Sequence, residues 1–188
     1  MSEAIYRHIA SQLFPAERHT PEPPARGQAA VLIALIDKPE GPDVLLTLRA
    51  RHLKNHPGEV AFPGGKWERE DHNLVRTALR ESFEETGLPS DKVRLLGRLA
   101  NYQTQKGVVV TPVVGVIPPG LALTPDPSEL DDIFSLPLAE LAAGRAQRWD
   151  EFERAGKRYR VPVYQWQQHT IWGLTAAMAC KLAKLAAL

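Results

Sequence analysis

The sequence predicts an α/β fold, because short apolar runs typical of strands flank one amphipathic segment typical of a helix. Residues 29–36 form a continuous apolar run, AAVLIALI, consistent with a buried strand, although periodicity alone does not exclude a helix. Residues 64–88 instead contain a glycine turn, a short acidic loop and a segment of about four turns with apolar side chains at helical spacing. Residues 93–102 and 108–117 add two strand-like runs. A chain of 188 residues is long enough for one domain with a sizeable core.

The N-terminal segment predicts a short helix followed by a connector. Apolar residues recur every four positions in residues 4–14, which is typical of an amphipathic helix. Several prolines then forbid regular structure until Gly27. We therefore expect residues 1–26 to form a helix and a Pro-rich connector that pack outside the main fold, and residues 27–188 to form one main domain.

Two more strands are predicted on either side of a basic loop. Residues 43–49 and 59–62 are the strands, and ARHLKNHP at residues 50–57 is the loop between them. The second strand leads into Gly64 and Gly65, which predict a turn. This order brings the cations of the loop next to the helix that follows.

The helix of about four turns that is predicted to end at Gly87 has two different faces. Successive helical residues step by about 100°, so Glu81, Glu84 and Glu85 fall within an arc of roughly 100°. Asp71 precedes the helix, and a capping role for it is at least as well supported as a functional one. The apolar side chains share a different arc and predict the buried stripe: Leu74, Val75, Ala78, Leu79 and Phe83.

The acidic face indicates a site for hard divalent cations. Like charges at this spacing repel one another, and a bound cation removes that penalty. Mg²⁺ and Mn²⁺ prefer oxygen ligands, and Mg²⁺ is usually held by a few carboxylates together with substrate phosphates. A solvated acidic face with Arg76 and Arg80 as neighbours explains the helix equally well when the helix is taken alone.

The segment after the second strand-like run predicts a further helix. Pro112 interrupts residues 108–117, which indicates an edge strand or a bulge. Asp126, with Glu129 three residues later, is typical of a capping box and predicts a helix start within residues 123–141.

The C-terminal part predicts a hairpin and a closing helix. Residues 145–164 are polar and aromatic around a central glycine, which is typical of a β-hairpin. Residues 171–188 are rich in alanine and predict a helix, with Ile171, Trp172 and Leu174 packing inward.

Composition excludes several classes of protein. The formal net charge of +1 gives no global attraction to nucleic acid or to membranes. The single cysteine, Cys180, excludes an intrachain disulfide and any multi-cysteine zinc site. Residues 1–14 lack the pattern of a secretory signal, and residues 164–180 are too polar to span a bilayer. We therefore expect a cytoplasmic protein, and the sequence leaves open whether two copies form a homodimer.

The glycines, the acidic loop and the helix together resemble the Nudix box, the diphosphate-hydrolysing motif of the Nudix hydrolases. That motif usually reads G-x5-E-x7-R-E-U-x-E-E-x-G-U, where U is a bulky apolar residue. Here it reads G-x5-D-x8-R-E-S-F-E-E-T-G-L. Asp71 stands where Glu is usual, one residue is added before Arg80, and Ser82 replaces the first U. The resemblance implies the Nudix fold, an α/β/α sandwich with a mixed β-sheet between α-helices, and makes residues 27–188 the single catalytic domain.

A second signature precedes the box and resembles that of the coenzyme A diphosphatase branch, L-L-T-x-R-[SA]-x3-R-x3-G-x3-F-P-G-G. Lys54 stands where Arg is expected, which keeps the positive charge but loses the planar fork that binds an oxyanion with two bonds. The two signatures together cover residues 45–88. The matching residues are Leu45, Leu46, Thr47, Arg49, Ala50, Gly58, Phe62, Pro63, Gly64 and Gly65.

This resemblance implies a Mg²⁺- or Mn²⁺-dependent hydrolase whose partner is a small-molecule substrate. The products from coenzyme A, or from its acyl or oxidised forms, would be adenosine 3′,5′-bisphosphate and 4′-phosphopantetheine. One alternative is a related hydrolase of ADP-ribose, NADH or dinucleoside polyphosphates, since the box reads only the diphosphate. Another is a non-catalytic nucleotide-binding module, which the retention of all three box glutamates disfavours.

The resemblance also assigns roles to individual residues. Arg80 is expected to orient the carboxylates, and Arg49 and Lys54 to bind the diphosphate. Glu129 is the first candidate for a carboxylate from outside the box, although the capping role explains it as well. The general base stays open among Glu81, Glu84 and Glu129. The expected metal ligands are the carbonyl of Gly65 and the carboxylates of Glu81, Glu84 and Glu85.

Overall fold

The computed structural model describes residues 2–16, 27–154 and 156–187, and within these ranges the chain forms an α/β/α sandwich. The Pro-rich connector predicted from the sequence falls mostly on residues 17–26, outside the described residues. The helices are α1 (Ser2–Ser11), α2 (Leu74–Thr86) and α3 (Gly173–Leu185). The strands are β1 (Gln28–Ile36), β2 (Asp43–Arg49), β3 (Val60–Ala61), β4 (Gly64–Lys66), β5 (Arg94–Arg98), β6 (Tyr102–Gln103), β7 (Val109–Ile117), β8 (Leu130–Pro137), β9 (Arg148–Arg154), β10 (Lys157–Trp166) and β11 (His169–Ile171).

The main sheet is mixed, as predicted. Its order is β3-β2-β1-β7-β5, with β4 paired to β1, β6 to β7 and β8 to β2. Strand β1 runs parallel to β7, and the other pairs are antiparallel. A smaller sheet has the order β11-β10-β9. No helix in the described ranges is long and apolar enough to cross a membrane.

Strand β1 is buried on both sides and thereby separates two cores. Successive side chains of a strand point to opposite faces. Ile33 and Leu35 belong to the core shared with α1 and α3, whereas Leu32 and Ala34 belong to the core shared with α2. The uninterrupted apolar run in the sequence is therefore explained by helices covering both faces of the sheet.

Helix α1 is part of the main core, so the expectation that it packs outside the fold is wrong. Tyr6 and Ile9 have no exposed surface and join the core on the α3 side. The Tyr6 hydroxyl also donates a hydrogen bond to Asp37, at 3.0 Å. The predicted helix is confirmed, but no local pattern indicates which surface its apolar side covers.

Helix α2 is rotated relative to the predicted stripe. Phe83 is 55% exposed, so its assignment to the buried face is wrong. Ser82 and Thr86 are buried in its place, and each hydroxyl donates to the carbonyl four residues earlier, which satisfies the buried oxygen. This rotation also buries the side chain of Glu85.

Two further expectations on packing are wrong. The edge position predicted for Pro112 is wrong, because β7 has β1 along one side and β5 and β6 along the other. The alternative, a bulge, does not lie at the proline itself, since the register irregularity of this pair is between Leu95 and Gly97 of β5, opposite Gly115 and Val114. The proline sits where the partner changes from β6 to β5, and there it accepts a hydrogen bond from the Leu99 N–H at 3.0 Å. At the start of α3, Ile171 is buried as expected, but Trp172 is 46% exposed.

Candidate active site

The acidic helix begins after a short 3-10 turn at Arg69–Asp71. Its N-cap is Asn73, whose side chain accepts a hydrogen bond from the Arg76 N–H at 2.9 Å, so the assignment of that cap to Asp71 is wrong. The helix ends as predicted at Gly87, which adopts a left-handed conformation with φ of 71°.

Asp71 instead anchors Arg80. The guanidinium donates from Nε to Oδ1 at 2.7 Å and from Nη2 to Oδ2 at 3.0 Å, a two-point contact with a carboxylate that is 3% exposed. Thr77 and the Glu68 N–H donate two more hydrogen bonds to Oδ2. Burial alone would raise the pKa of Asp71, but these bonds and the charge of Arg80 outweigh it and hold the pKa below its usual value.

Arg80 connects this loop to two of the box glutamates. Its Nη2 donates to Glu81 Oε1 at 3.0 Å and to the Lys66 carbonyl at 3.2 Å, and Nη1 donates to Glu84 Oε2 at 2.9 Å. Glu81 is 16% exposed and Glu84 55% exposed. A single guanidinium therefore fixes the loop, strand β4 and two carboxylates relative to one another.

The two glycines form strand β4 rather than the predicted turn. Gly64 adopts a φ of 156°, and its N–H donates to Glu85 Oε2 at 3.0 Å. Gly65 lies opposite Ala30 of β1, and a Cβ atom at Gly65 would overlap the carboxylate of Glu81. The absence of a side chain at Gly65 thus lets this carboxylate lie directly against the strand.

Glu85 is the most buried of the box glutamates. Its exposed fraction is 4%, and burial raises the pKa of its carboxyl to about 8. The negative charges of Glu129 and Glu81 raise the pKa further, whereas the Gly64 N–H and the positive charge of Arg49 oppose the rise. These interactions bring residues from four separate segments to one place.

Glu129 reaches the site by strand pairing and not by the predicted helix. The helix start within residues 123–141 is wrong, because Asp126 accepts hydrogen bonds from the N–H and hydroxyl of Ser128 in a turn, and β8 follows. Strand β8 pairs with β2, and the Glu129 carbonyl accepts a hydrogen bond from the Ala50 N–H at 2.8 Å. This pairing sets Glu129 beside Arg49, and the Glu129 side chain is exposed.

The two cations of the upstream signature have different environments. Arg49 ends β2 next to an irregularity in its pairing with β8, and its Nε is buried with no hydrogen-bond partner among the described residues. Lys54 lies exposed in the loop before β3. An unpaired buried donor costs about 1–3 kcal/mol, which an anionic ligand would relieve.

The donor set suits a hard divalent cation that keeps open positions. Within the described ranges, no three acidic, histidine or cysteine side chains converge closely enough to enclose an ion by themselves. Glu81 and Glu84 contact Arg80, and the buried Glu85 carboxylate has no cationic hydrogen-bond partner in the described part of the chain. Carboxylate oxygens, water and substrate phosphates together make up the usual surroundings of Mg²⁺.

The sequence did not identify two parts of this site. The Asp71–Arg80 pair joins residues nine apart, and only the unusual spacing of the box pointed to that loop. The hydrogen bond from the Gly64 N–H to Glu85 involves backbone, whose direction depends on how β4 pairs with β1. Neither contact has a periodic signal in the sequence.

We expect Asp71→Asn to lower the free energy of unfolding by about 3 kcal/mol at neutral pH, because it leaves part of a buried ion pair uncompensated. The folded-state pKa of Asp71 is lowered, so its contribution is present above the ordinary aspartate pKa of about 4 and is lost as the pH falls through the lowered value. Urea unfolding of both proteins over a pH series measures this. A difference that stays constant into the acid range would contradict the assignment.

Known proteins resemble this chain over most of its length. The NUDIX domain family matches residues 26–156. A Nudix hydrolase of Photorhabdus laumondii, NudL, is 44% identical over 169 residues, which cover 87% of this chain and 90% of the relative. NudL of Yersinia enterocolitica is 41% identical over 156 residues, which cover 83% of this chain and 80% of the relative.

The fold has a counterpart among solved structures. The crystal structure of a MutT/nudix family protein from Enterococcus faecalis aligns with a TM-score of 0.53 and 17% identity, covering 97% of this chain and 73% of that one. Identity at this level supports a shared fold alone. The domain match and the relatives agree with the carboxylate-bearing helix, so the chain belongs to the Nudix family and is a hydrolase that acts on diphosphate bonds.

Proposed function

We propose that this chain is a Mg²⁺- or Mn²⁺-dependent coenzyme A diphosphatase. It would hydrolyse coenzyme A, or its acyl or oxidised forms, to adenosine 3′,5′-bisphosphate and 4′-phosphopantetheine. The observation that carries the proposal is the combination of the upstream signature with the Nudix box across residues 45–88. The interaction between Arg49 and Glu85, one from each signature, supports a single site built from both.

The box glutamates are proposed to hold the metal. Nudix hydrolases generally use divalent metal ions. Such an ion, when bound, would supply positive charge to the phosphoryl oxygens and lower the pKa of a bound water. We assign its ligands to the carboxylates of Glu81, Glu84 and Glu85 and to the carbonyl of Gly65. Arg80 would position the first two carboxylates through the hydrogen bonds it donates to them.

The chain's own groups would orient the diphosphate. Arg49 has a buried Nε without a partner in the described residues, so a phosphate oxygen would satisfy a donor that is otherwise desolvated. Lys54, exposed in the neighbouring loop, would add a second positive charge. The base that accepts the proton of the attacking water is Glu81, Glu84 or Glu129. These three differ in exposure and in their contact with Arg80.

The closest competing substrate class is ADP-ribose and other nucleoside diphosphate derivatives. Lys54 in place of arginine and Ser82 in the box are the departures from the two signatures that leave room for these substrates. A diphosphate-reading site accepts any of these compounds, so discrimination must come from contacts outside the box. A comparison of turnover among substrates therefore tests the narrower assignment.

With equal concentrations of coenzyme A, acetyl-coenzyme A, ADP-ribose, NADH and a dinucleoside polyphosphate, we expect kcat/KM for a coenzyme A compound to exceed the others by at least about 10-fold. Reactions are run with Mg²⁺ and with Mn²⁺ in H₂¹⁸O, and mass spectrometry identifies the products and the phosphate that gains ¹⁸O. A preference for ADP-ribose would contradict the assignment of coenzyme A as the substrate but would leave the assignment as a hydrolase unchanged. Turnover that a chelator leaves unchanged would contradict the proposed dependence on a divalent metal ion.

A further inference from the structure

The hairpin of β9 and β10 forms an exposed ribbon, and it contributes no residue to the proposed site. All its described side chains in residues 148–153 and 157–160 are exposed. Among them are Trp149, Phe152 and Tyr159, which are 38%, 39% and 43% exposed. Two-stranded ribbons are marginally stable alone in water, and Trp, Tyr and Arg are enriched where proteins bind one another.

The ribbon has two faces, because side chains alternate along each strand. On one face Phe152 stacks on Tyr159, with ring centroids 5.4 Å apart. On the other face, the Arg160 guanidinium lies 5.4 Å from the centre of the Trp149 ring. We call this second side the Trp149 face. Its exposed residues are Trp149, Glu151, Glu153, Arg158 and Arg160, and the buried Pro162 lies opposite Trp149.

On the Trp149 face, the negative side chains lie on one strand and the positive side chains on the other. Glu151 and Glu153 lie on β9, and directly opposite them on β10 lie Arg160 and Arg158. One strand of this face is therefore negative and its neighbour positive. A surface built in this way is complementary to itself, since a two-fold axis parallel to the strands sets each positive strand over the negative strand of a second copy.

We propose that the Trp149 face is a contact between two copies of this chain. In this arrangement Glu151 faces the partner's Arg160, Glu153 faces the partner's Arg158, and Trp149 faces the partner's Pro162, because these are the residues paired across the ribbon. A nucleic acid does not fit this face, because the β9 glutamates repel phosphates. Each exposed ion pair across this contact contributes little free energy of binding, so the dimer forms reversibly with rising concentration.

Charge reversal tests this contact. We expect Arg158→Glu with Arg160→Glu, and separately Glu151→Arg with Glu153→Arg, to be monomers of 20.8 kDa in sedimentation velocity at concentrations where the unaltered chain forms dimers. An equimolar mixture of the two variants should recover the dimer, because one ribbon is then fully negative and the other fully positive. The Arg160–Glu151 pair is exposed, so its loss leaves the fold intact.

The matched control is Lys157→Glu, a charge reversal on the opposite face of the same ribbon. It should dimerise like the unaltered chain, whereas Trp149→Ser should weaken the dimer at least about 10-fold. An unaltered chain that stays monomeric at the highest concentration overturns the proposal. So does a dimer that survives both charge reversals, or a mixture of the reversal variants that stays monomeric.

Discussion

The Glu85→Gln variant is expected to lose at least about 100-fold of its diphosphatase activity while keeping its fold. Replacing a group that merely orients a metal ligand typically costs about 10–100-fold, so replacing a ligand should cost no less. Glutamine keeps the shape of the side chain and can still accept the hydrogen bond from the Gly64 N–H. What it lacks is the negative charge that would hold a cation.

The stability of this variant separates a metal site from a structural role. Glu85 is 4% exposed, and burial already raises its carboxyl pKa to about 8, so its charged form is costly in the metal-free protein. The neutral amide avoids that cost, and the metal-free variant should unfold at the same temperature as the unaltered chain or higher. The affinity of the variant for Mg²⁺ or Mn²⁺, measured by calorimetry, should fall in parallel with its activity.

Glu70→Gln is the matched control for Glu85→Gln. Glu70 is an exposed carboxylate in the loop before α2, and the sequence assigned it to no ligand position. Its variant should retain full activity and full metal affinity. Full activity in Glu85→Gln, or an equal loss in both variants, would contradict the assignment of Glu85.

Local patterns predicted the elements whose burial follows from their own sequence. The apolar run of β1 and the helical spacing of α2 were interpreted correctly, because both faces of one element and the amphipathic period of the other are visible locally. Phe83 was misplaced because the rotation of a helix is decided by what it packs against. Here the sheet accepts Ser82 and Thr86 and leaves the aromatic ring outside.

The parts of the site that could not be predicted are the contacts between segments far apart in the sequence. The helical period alone puts Glu81 and Glu85 on one side of α2, so their proximity was predictable. Glu129 stays a candidate, and its position was explained by a helix cap that the structure lacks, whereas the pairing of β8 with β2 brings it beside Arg49. Strand partners far apart in sequence leave no periodic trace, and the same holds for the bond from Gly64 to Glu85.

The second large effect is expected at Gly65, where Gly65→Ala should lower activity about 100-fold with little change in stability. The backbone of Gly65 lies outside the left-handed region, so alanine is compatible with its conformation. The three atoms nearest to the added Cβ all belong to the carboxylate of Glu81, the end of a flexible side chain, which can swing away. That movement displaces a proposed metal ligand, and a misplacement of about 1 Å can cost about 100-fold in rate.

Gly64→Ala, one residue earlier, should instead lower the stability of the fold. Gly64 has a φ of 156°, and a Cβ there would overlap the Ala30 carbonyl and the backbone of Val31, which cannot move aside. The conformation alone costs about 1–3 kcal/mol, so this variant should be clearly destabilised in urea. A fully active Gly65→Ala variant would show that the close approach of Glu81 to β4 is irrelevant to catalysis. A Gly65→Ala variant as unstable as Gly64→Ala would show that the Glu81 carboxylate does not move aside as expected. A stable, inactive Gly65→Ala protein would support the proposal that this approach positions the carboxylate of Glu81 as a metal ligand.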